Sequence, residues 1–345
     1  KDTVPSCIHF NRKKTILVGD AAYGVLKNDS ARALKNFEKK KTNTFIEFKR
    51  TMGTTHSYEC GNMETHYSSE ELSAEVLKKL KSIIQDDNLS SIVITVPAKF
   101  LNPQNEATMK AAKMAGFKHV ELLQEPVAAA TAYGLDTDKK DGYWLVFDFG
   151  GGTFDAALLK AEEGILAVKD TDGDNWLGGK NLDEAIVDEI IIPNLKENFA
   201  IDSILADPAK KEILRSAVKF RAEEAKIQLS FKETFNILSD LGGLPFEDEE
   251  GEEPEIDVEV TQDDMRRVLG PVFQKAIDIT KGLLKRNNLK GSDLGSLILV
   301  GGPTYSPILR EMLKQQVTEN VDTSVDPMTV VAKGAALFAS TISVS

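Results

Sequence analysis

The segment that most limits the fold is an apolar run that ends in three consecutive glycines. Residues 143–149, Tyr-Trp-Leu-Val-Phe-Asp-Phe, have the length and character of a buried strand, and Gly150-Gly151-Gly152 follow directly. Residues 156–160 then read as a second strand, so the glycines form the turn of a hairpin. A dinucleotide fingerprint would need a helix at that point and a third glycine where Asp155 stands. A second apolar run, 297–300, also ends in paired glycines, Gly301-Gly302.

The rest of the chain supplies the frame for these turns. Strands are expected at 8–10 and 15–18, with Gly19-Asp20 turning into a helix. Ser68 and Glu71 form a capping box before Leu72, Val76, Leu77, Leu80, Ile83 and Ile84 at helical spacing. Residues 92–96 read as a strand buried on both faces, ending at Pro97. A helix follows with Asn102 as N-cap, Pro103 in its first turn and Gly116 just past its end. After a strand at 119–123, Pro126 is expected to break the chain before an alanine-rich helix at 127–133. Strand and helix alternate here, which points to an α/β sheet with helical crossovers.

Beyond the hairpin, a strand is expected at 165–169, a loop at 170–179, and helices at 182–192 and 210–229. A strand at 235–238 precedes the mostly acidic run 247–257, which reads as a solvated or mobile loop. Helices at 263–286, from Ser306-Pro307 and at 330–342 complete the pattern around the strand at 297–300. No short-period repeat is visible.

Composition excludes several classes. At 345 residues the chain suits about two domains, and 41% apolar with 28% charged residues is a globular mixture. A net charge of −12 argues against nucleic acid held by phosphate neutralisation. Cys7 and Cys60 have no ligand or redox spacing, and His9, His56, His66 and His119 form no close pair, so neither a disulfide framework nor a zinc cage is specified. With no apolar run of bilayer length and no signal peptide, a cytoplasmic location is expected. The start at Lys1 suggests a piece of a longer protein.

Two other loops fail as binding motifs. Residues 173–180 resemble a P-loop, but Gly179 precedes Lys180 and Asn181 follows it, so lysine and hydroxyl are misplaced. Asp170, Asp172 and Asp174 have the opening spacing of a calcium loop, yet Asn175 and Asn181 stand where glycine and glutamate are required. The hairpin has coherent chemistry. Three residues without Cβ let backbone N–H groups approach phosphate oxygens, Thr153 adds a hydroxyl, and Asp148 and Asp155 could hold hydrated Mg²⁺. On these residues alone, a plain glycine turn with aspartates in ordinary turn roles is an equally good account.

The eight residues 148–155 do not stand alone. Ile94-Thr95-Val96-Pro97-Ala98, Glu125-Pro126 before Ala128-Ala129-Ala130, Tyr133-Gly134-Leu135, Leu177-Gly178-Gly179 and Val300-Gly301-Gly302-Pro303-Thr304 occur with them. So do Val18-Gly19-Asp20-Ala21-Ala22, Lys49-Arg50 and Gly334-Ala335-Ala336. In this order, over nearly the whole chain, they resemble the ATPase domain of the seventy-kilodalton heat-shock chaperones (DnaK-like). The resemblance implies an α/β, actin-like ATPase fold: two lobes with duplicated mixed sheets flanked by helices, and ATP or ADP with Mg²⁺ in the cleft. The expected boundaries are 1–140 for the first lobe and 141–345 for the second. The second includes a helical/β subdomain at about 180–290, and its final helix 330–342 returns to the cleft.

By the same resemblance, Glu125 sits beside the attacking water, Asp148 organises the metal and Thr153 donates to the γ-phosphate. Asp155 supports Mg²⁺ and monovalent cations such as K⁺, and Gly150, Gly151 and Gly152 cradle phosphate. Gly178, Gly179, Glu223, Lys226, Ser230, Gly301, Gly302 and Tyr305 face the nucleoside. Lys49 is the nearest candidate for the family's phosphoryl-stabilising lysine. The implied activity is ATP hydrolysis controlling a peptide-binding domain beyond Ser345, with unfolded or extended peptides, a J-domain co-chaperone and a nucleotide-exchange factor as partners. No nucleic acid or membrane partner is implied. A non-hydrolysing nucleotide sensor or co-chaperone, or a sugar kinase of the same superfamily, are the competing readings.

The sequence departs from the family pattern at several points. The family's first phosphate-binding hairpin precedes the segment that begins here at Lys1, so weak nucleotide binding and little hydrolysis are expected of this stretch by itself. Tyr305 replaces an arginine that packs on adenine, Asn105 an arginine associated with domain coupling, and Met328 and Lys333 an acidic and an aromatic residue.

Overall fold

The computed structural model describes residues 2–36, 43–86, 88–134 and 141–342. Leu135, the last residue of the Tyr133-Gly134-Leu135 motif, lies outside them. The chain divides into two compact units. One comprises Lys1–Ala33, Phe37–Ala132 and Val331–Ser345, and the other Leu34–Asn36 and Tyr133–Val330.

In the first unit β1 (Cys7–Phe10) lies between β2 (Ile16–Val18) and β3 (Thr44–Ile46), both antiparallel to it, and α1 (Asp20–Asn36) follows β2. The hairpin β4 (Ser57–Cys60) and β5 (Thr65–Ser68) leads into α2 (Ser69–Ile84), whose start carries the expected capping box between Ser68 and Glu71. Ile8, Phe10, Phe45, Phe48, Cys60 and Leu72 form its core, where Phe10 stacks on Tyr67 at 4.5 Å. Both cysteines are free and buried.

Next, β6 (Ser91–Val96), α3 (Asn102–Met114) and β7 (His119–Gln124) form a parallel crossover, and α4 (Glu125–Ala132) continues from β7 without a break. Three expectations are corrected here. Residues 92–95 are half-buried instead of buried on both faces, because among the described residues β6 pairs on one side only, with β7. Leu101, not Asn102, is the N-cap of α3, where Gln104 accepts from its amide at 2.8 Å. Pro126 lies in the first turn of α4, a position whose N–H has no helical partner, so it begins the helix and does not interrupt the chain.

The second unit is built on a five-stranded mixed sheet, in the order β10 (Ile165–Asp174), β9 (Phe154–Glu162), β8 (Gly142–Phe149), β13 (Leu294–Val300), β14 (Val321–Asp322). The first three strands are antiparallel, and β8, β13 and β14 run parallel. Its helices are α5 (Gly179–Ile186), α6 (Ile192–Asn198), α7 (Asp202–Ala206), α8 (Pro208–Gln228), α9 (Gln262–Arg286) and α10 (Pro307–Gln316), with a hairpin of β11 (Thr234–Ser239) and β12 (Ile256–Thr261). The last helix, α11 (Val330–Ser340), falls almost wholly within the first unit. There Gly334 packs on α4 so closely that a Cβ would come within 1.6 Å of Ala128 O.

Three further differences from the sequence reading have local causes. β10 runs to Asp174 instead of ending at 169, because its aspartates are bound by α9, as described below. The helix expected at 182–192 is interrupted by a wide π turn, Val187–Ile191. Pro193, which has no N–H and cannot follow the regular i−4 pattern, lies immediately beyond it. The acidic run is folded back on its own unit. Asp248, 8% exposed, accepts from the amides of Ala200, Glu250 and Glu252, and Glu249 accepts from Ser203 N–H. Those backbone donors hold the Asp248 carboxyl below its ordinary range.

Candidate functional site

The β8–β9 hairpin is anchored by aromatic packing. Phe149 and Phe154 are opposite each other across the ladder, both fully buried, with ring centroids 5.9 Å apart, and Phe273 of α9 packs edge-on against Phe149 at 5.7 Å. Each such ring contributes on the order of 1.5–3 kcal/mol of burial, so the strands beneath the turn have little freedom. Asp148 and Asp155 are the neighbouring pair in the ladder and lie on the opposite face from these phenylalanines. Directly opposed residues have Cβ atoms about 5 Å apart, and two like charges there are unfavourable unless a cation joins them.

The turn is closed by Gly150 N–H donating to Thr153 O at 2.9 Å. Its carbonyls point the other way: Gly150 O accepts from Gly179 N–H at 2.8 Å and Gly151 O from Lys180 N–H at 2.9 Å. Two amides at the start of α5, which have no partner within the helix, are thereby satisfied by the hairpin. The fit depends on glycine at 178, where a Cβ would come within 2.6 Å of Gly152 N and Cα. By contrast, a Cβ on Gly151 would meet nothing within 4 Å, so packing does not demand glycine there.

The paired glycines after β13 reach the same place. Gly301 adopts φ 97°, and a Cβ there would lie 2.2 Å from Phe149 O. Around Gly179 the distances from its Cβ direction are 3.2 Å to Lys226 Nζ, 3.5 Å to Gly151 Cα and 3.5 Å to Pro303 Cγ. Three glycine segments, the third of them more than a hundred residues beyond the other two in sequence, therefore meet, together with α8, at one point of the second unit.

On α8, Lys226 Nζ pairs with Asp183 Oδ1 at 2.7 Å and donates to Gly179 O at 3.3 Å, while Ser230 Oγ donates to Lys226 O at 3.2 Å. Asp183 had no part in the sequence reading. Burial pushes its carboxyl up to about 6, against the opposing pull of Lys226. A charged residue on the apolar face formed by Leu182, Ile186 and Val187 is the signal that could have found it. Glu223 is half-buried and disfavours ionisation of Asp183. Tyr305 ends a 3-10 turn, Gly302–Tyr305, and donates its hydroxyl to Asp326; burial first, and then this bond, push its pKa up to about 12. Gly302 faces Met328 Sδ, 3.3 Å from its Cβ direction.

In the first unit, Lys49 Nζ pairs with Glu125 Oε1 at 2.6 Å, joining a 3-10 turn (Phe48–Thr51) to the start of α4 across 76 residues of sequence. The aspartates that resembled a calcium loop have another role. Arg286 donates to Asp170 at 3.0 Å, to Asp172 at 3.1 Å and to Thr171 O at 3.1 Å, and Asn287 donates to Asp170 at 2.7 Å. They tie β10 to the end of α9.

Among the described residues, no group of three or more His, Cys, Asp or Glu could close a metal cage. Two facing carboxylates beside a glycine turn instead suit a cation that keeps its water and shares it with phosphate oxygens. The open space at Gly151 suits close approach of such a phosphate.

A family model described as Hsp70 protein matches residues 1–344. The chain belongs to the Hsp70 family. It is similar to the Chaperone protein DnaK of Nitrosopumilus maritimus (strain SCM1), 31% identical over 343 residues that make up 98% of this chain and 50% of that protein. The DnaK of Mycoplasma mobile (strain ATCC 43663 / 163K / NCTC 11711) is 34% identical over 347 residues, 99% of this chain and 53% of its own length. That of Cenarchaeum symbiosum (strain A) is 31% identical over 342 residues, 98% and 48%. This Hsp70 chain thus spans about half the length of the curated relatives it matches. It corresponds to the Hsp70 nucleotide-binding domain, of actin-like α/β fold, which takes ATP or ADP. Among the described residues no helix is long and apolar enough to cross a membrane.

Proposed function

We propose that this Hsp70 domain binds ATP or ADP as the magnesium complex and that, in the whole protein, ATP hydrolysis here controls capture of unfolded or extended peptides. The observation that carries this reading is the meeting of the three glycine segments and Lys226 around Gly179, beside the opposed Asp148 and Asp155. Gly150, Gly151 and Gly152 would let backbone amides approach the phosphates, with Thr153 hydroxyl as a further donor. Asp148 would orient the hydrated metal, and Asp155 would support it and any K⁺. When bound, Mg²⁺ supplies neutralisation of phosphate charge.

Gly178, Gly179, Gly301 and Gly302 would shape the nucleoside side, with Glu223, Lys226 and Ser230 bonding to it and Tyr305 lying against it. Glu125 would hold the attacking water in line, and Lys49, paired to it at 2.6 Å, fixes the direction of its carboxylate. That pair of a basic and an acidic group supports hydrolysis over nucleotide sensing alone. A J-domain co-chaperone and an exchange factor are the regulators proposed with it.

Calorimetric titration of ADP with and without Mg²⁺, on this chain and on Asp148→Asn, tests the reading. We expect one site, tighter with Mg²⁺ in the wild type and indifferent to Mg²⁺ in the variant. Binding that ignores Mg²⁺ in both, or no binding at millimolar nucleotide, would refute it.

A further inference from the structure

We propose that Asp183 is a positioning residue for the nucleotide: it holds the Lys226 ammonium at a fixed place beside the phosphate turn, so that the nucleoside and phosphate ends of one ligand are bound in register. The inference rests on the nucleotide-binding reading above and adds to it a residue that acts through Lys226 and touches no ligand itself.

The chain of bonds is short. α5 starts on the hairpin, with the Gly179 and Lys180 amides held by Gly150 O and Gly151 O at 2.8 and 2.9 Å. Just before it, Gly178 N–H donates to Asn181 Oδ1 at 2.8 Å, which closes the turn into the helix. The same helix then binds the Lys226 side chain twice, through Asp183 Oδ1 at 2.7 Å and through Gly179 O at 3.3 Å. The eight residues of α5 therefore transmit the position of the glycine turn to a cation on α8.

A lysine has a long flexible stem, and a ligand that must order it binds more weakly for doing so. Here the ordering is done in advance. The Lys226 and Asp183 side chains are only 15% and 8% exposed, and the bond between them is a short, charge-assisted one. An ammonium has three N–H donors and no acceptor. Asp183 and Gly179 take two of these, which leaves the third for an oxygen of the sugar. Without the carboxylate, the ammonium would be a buried charge facing a single carbonyl, and it would turn toward water instead of the nucleoside.

The surroundings of Asp183 supply a readout that packing alone would not move. On α8, Lys226 and Lys219 favour its ionised form and Glu223 opposes it. On its own helix Lys180 and Glu184 border the same groove, and Asp188, in the π turn beyond, is paired with Arg215. The facing side of α9 is apolar, with Leu269 and Phe273 beside Leu182. Burial outweighs the two lysines and brings the carboxyl to about 6. Below that value Asp183 is protonated, Lys226 loses its anionic partner, and the advantage of aspartate over asparagine at this position disappears.

The test is calorimetric titration of Mg·ADP and of base-free tripolyphosphate, from pH 7 down to pH 5, on wild type, Asp183→Asn, Lys226→Met and the double variant. Asn keeps the volume of the buried side chain and removes only its charge. At pH 7 Asp183→Asn should weaken ADP by about five- to fiftyfold, the loss expected when a charge-assisted bond is replaced by a neutral one, and leave tripolyphosphate unchanged. Lys226→Met should weaken ADP alike, and Asp183→Asn added to it should cost less than about twofold more. The titration of ADP itself is common to all four proteins, so the pH dependence is read as the ratio of wild type to Asp183→Asn, which should fall toward one at pH 5. Unchanged ADP affinity in Asp183→Asn, an equal loss for tripolyphosphate, a ratio that ignores pH, or additive losses in the double variant each overturn the positioning role while leaving the nucleotide reading intact. A wild type that binds no Mg·ADP overturns both.

Discussion

Glycine at 178 is where packing and ligand geometry can be separated most cleanly. In Gly178→Ala the new methyl would start 2.6 Å from Gly152 N and Cα and 2.7 Å from Gly152 C. Those atoms are backbone, held by Gly179 N–H to Gly150 O at 2.8 Å and Lys180 N–H to Gly151 O at 2.9 Å, so no side chain can swing aside. To reach an ordinary carbon contact of about 3.5 Å, the hairpin and α5 must separate by about 0.9 Å. Overpacking of this kind costs about 1–3 kcal/mol, and a displacement near 1 Å in a binding turn weakens its function up to about a hundredfold. Gly151→Ala is the control, since its methyl meets nothing within 4 Å. Urea unfolding and ADP titration on both variants distinguish the effects. Gly178→Ala should lose stability and affinity together, whereas Gly151→Ala should keep its stability and lose affinity. Equal stability in Gly178→Ala and wild type would refute the packing argument, and full affinity in Gly151→Ala would refute phosphate approach at that residue.

Three other outcomes follow from the structure. Burial raises the Asp183 carboxyl from 3.8 to about 6, so the folded state takes up a proton between those values and this group's contribution to stability falls as pH rises through that window. The fall is at most about 1.4 kcal/mol per pH unit, so the Tm of Asp183→Asn relative to wild type should climb from pH 4 to pH 6, and a flat difference would exclude burial as the main cause. In the full-length protein, Glu125→Gln should slow single-turnover ATP hydrolysis by about 10²–10⁴-fold with nucleotide affinity nearly unchanged; an unaltered rate would remove Glu125 from the chemistry. Arg286→Ala should lower Tm by loosening β10 from α9, and millimolar Ca²⁺ should shift Tm in neither protein, since the Asp170 and Asp172 carboxylates are bonded to Arg286.

Much of this was legible in the chain because the signals are local. The capping box at Ser68 and Glu71, the hairpin around Gly150-Gly151-Gly152 and the helix-ending Gly116 each depend on residues a few positions apart, and each forms as expected. What remained hidden was pairing over long separations. Nothing near Asp170 reveals that Arg286, 116 residues later, will bind it, and so β10 was read five residues too short. Asp183 was missed for the same reason, since it is defined by Lys226 on another helix. The acidic run shows the converse limit, since composition suggested solvation while Asp248 became a backbone cap.

The central claim is that the three glycine segments of the second unit form a single phosphate and nucleoside site. The most direct measurement is the backbone amide spectrum of ¹⁵N-labelled protein during titration with Mg·ADP. The amides of Gly150, Gly151, Gly152, Thr153, Gly178, Gly179, Gly301 and Gly302 should shift along one binding curve and saturate together. Unshifted glycine amides under saturating nucleotide, or separate curves for the three segments, would contradict the account.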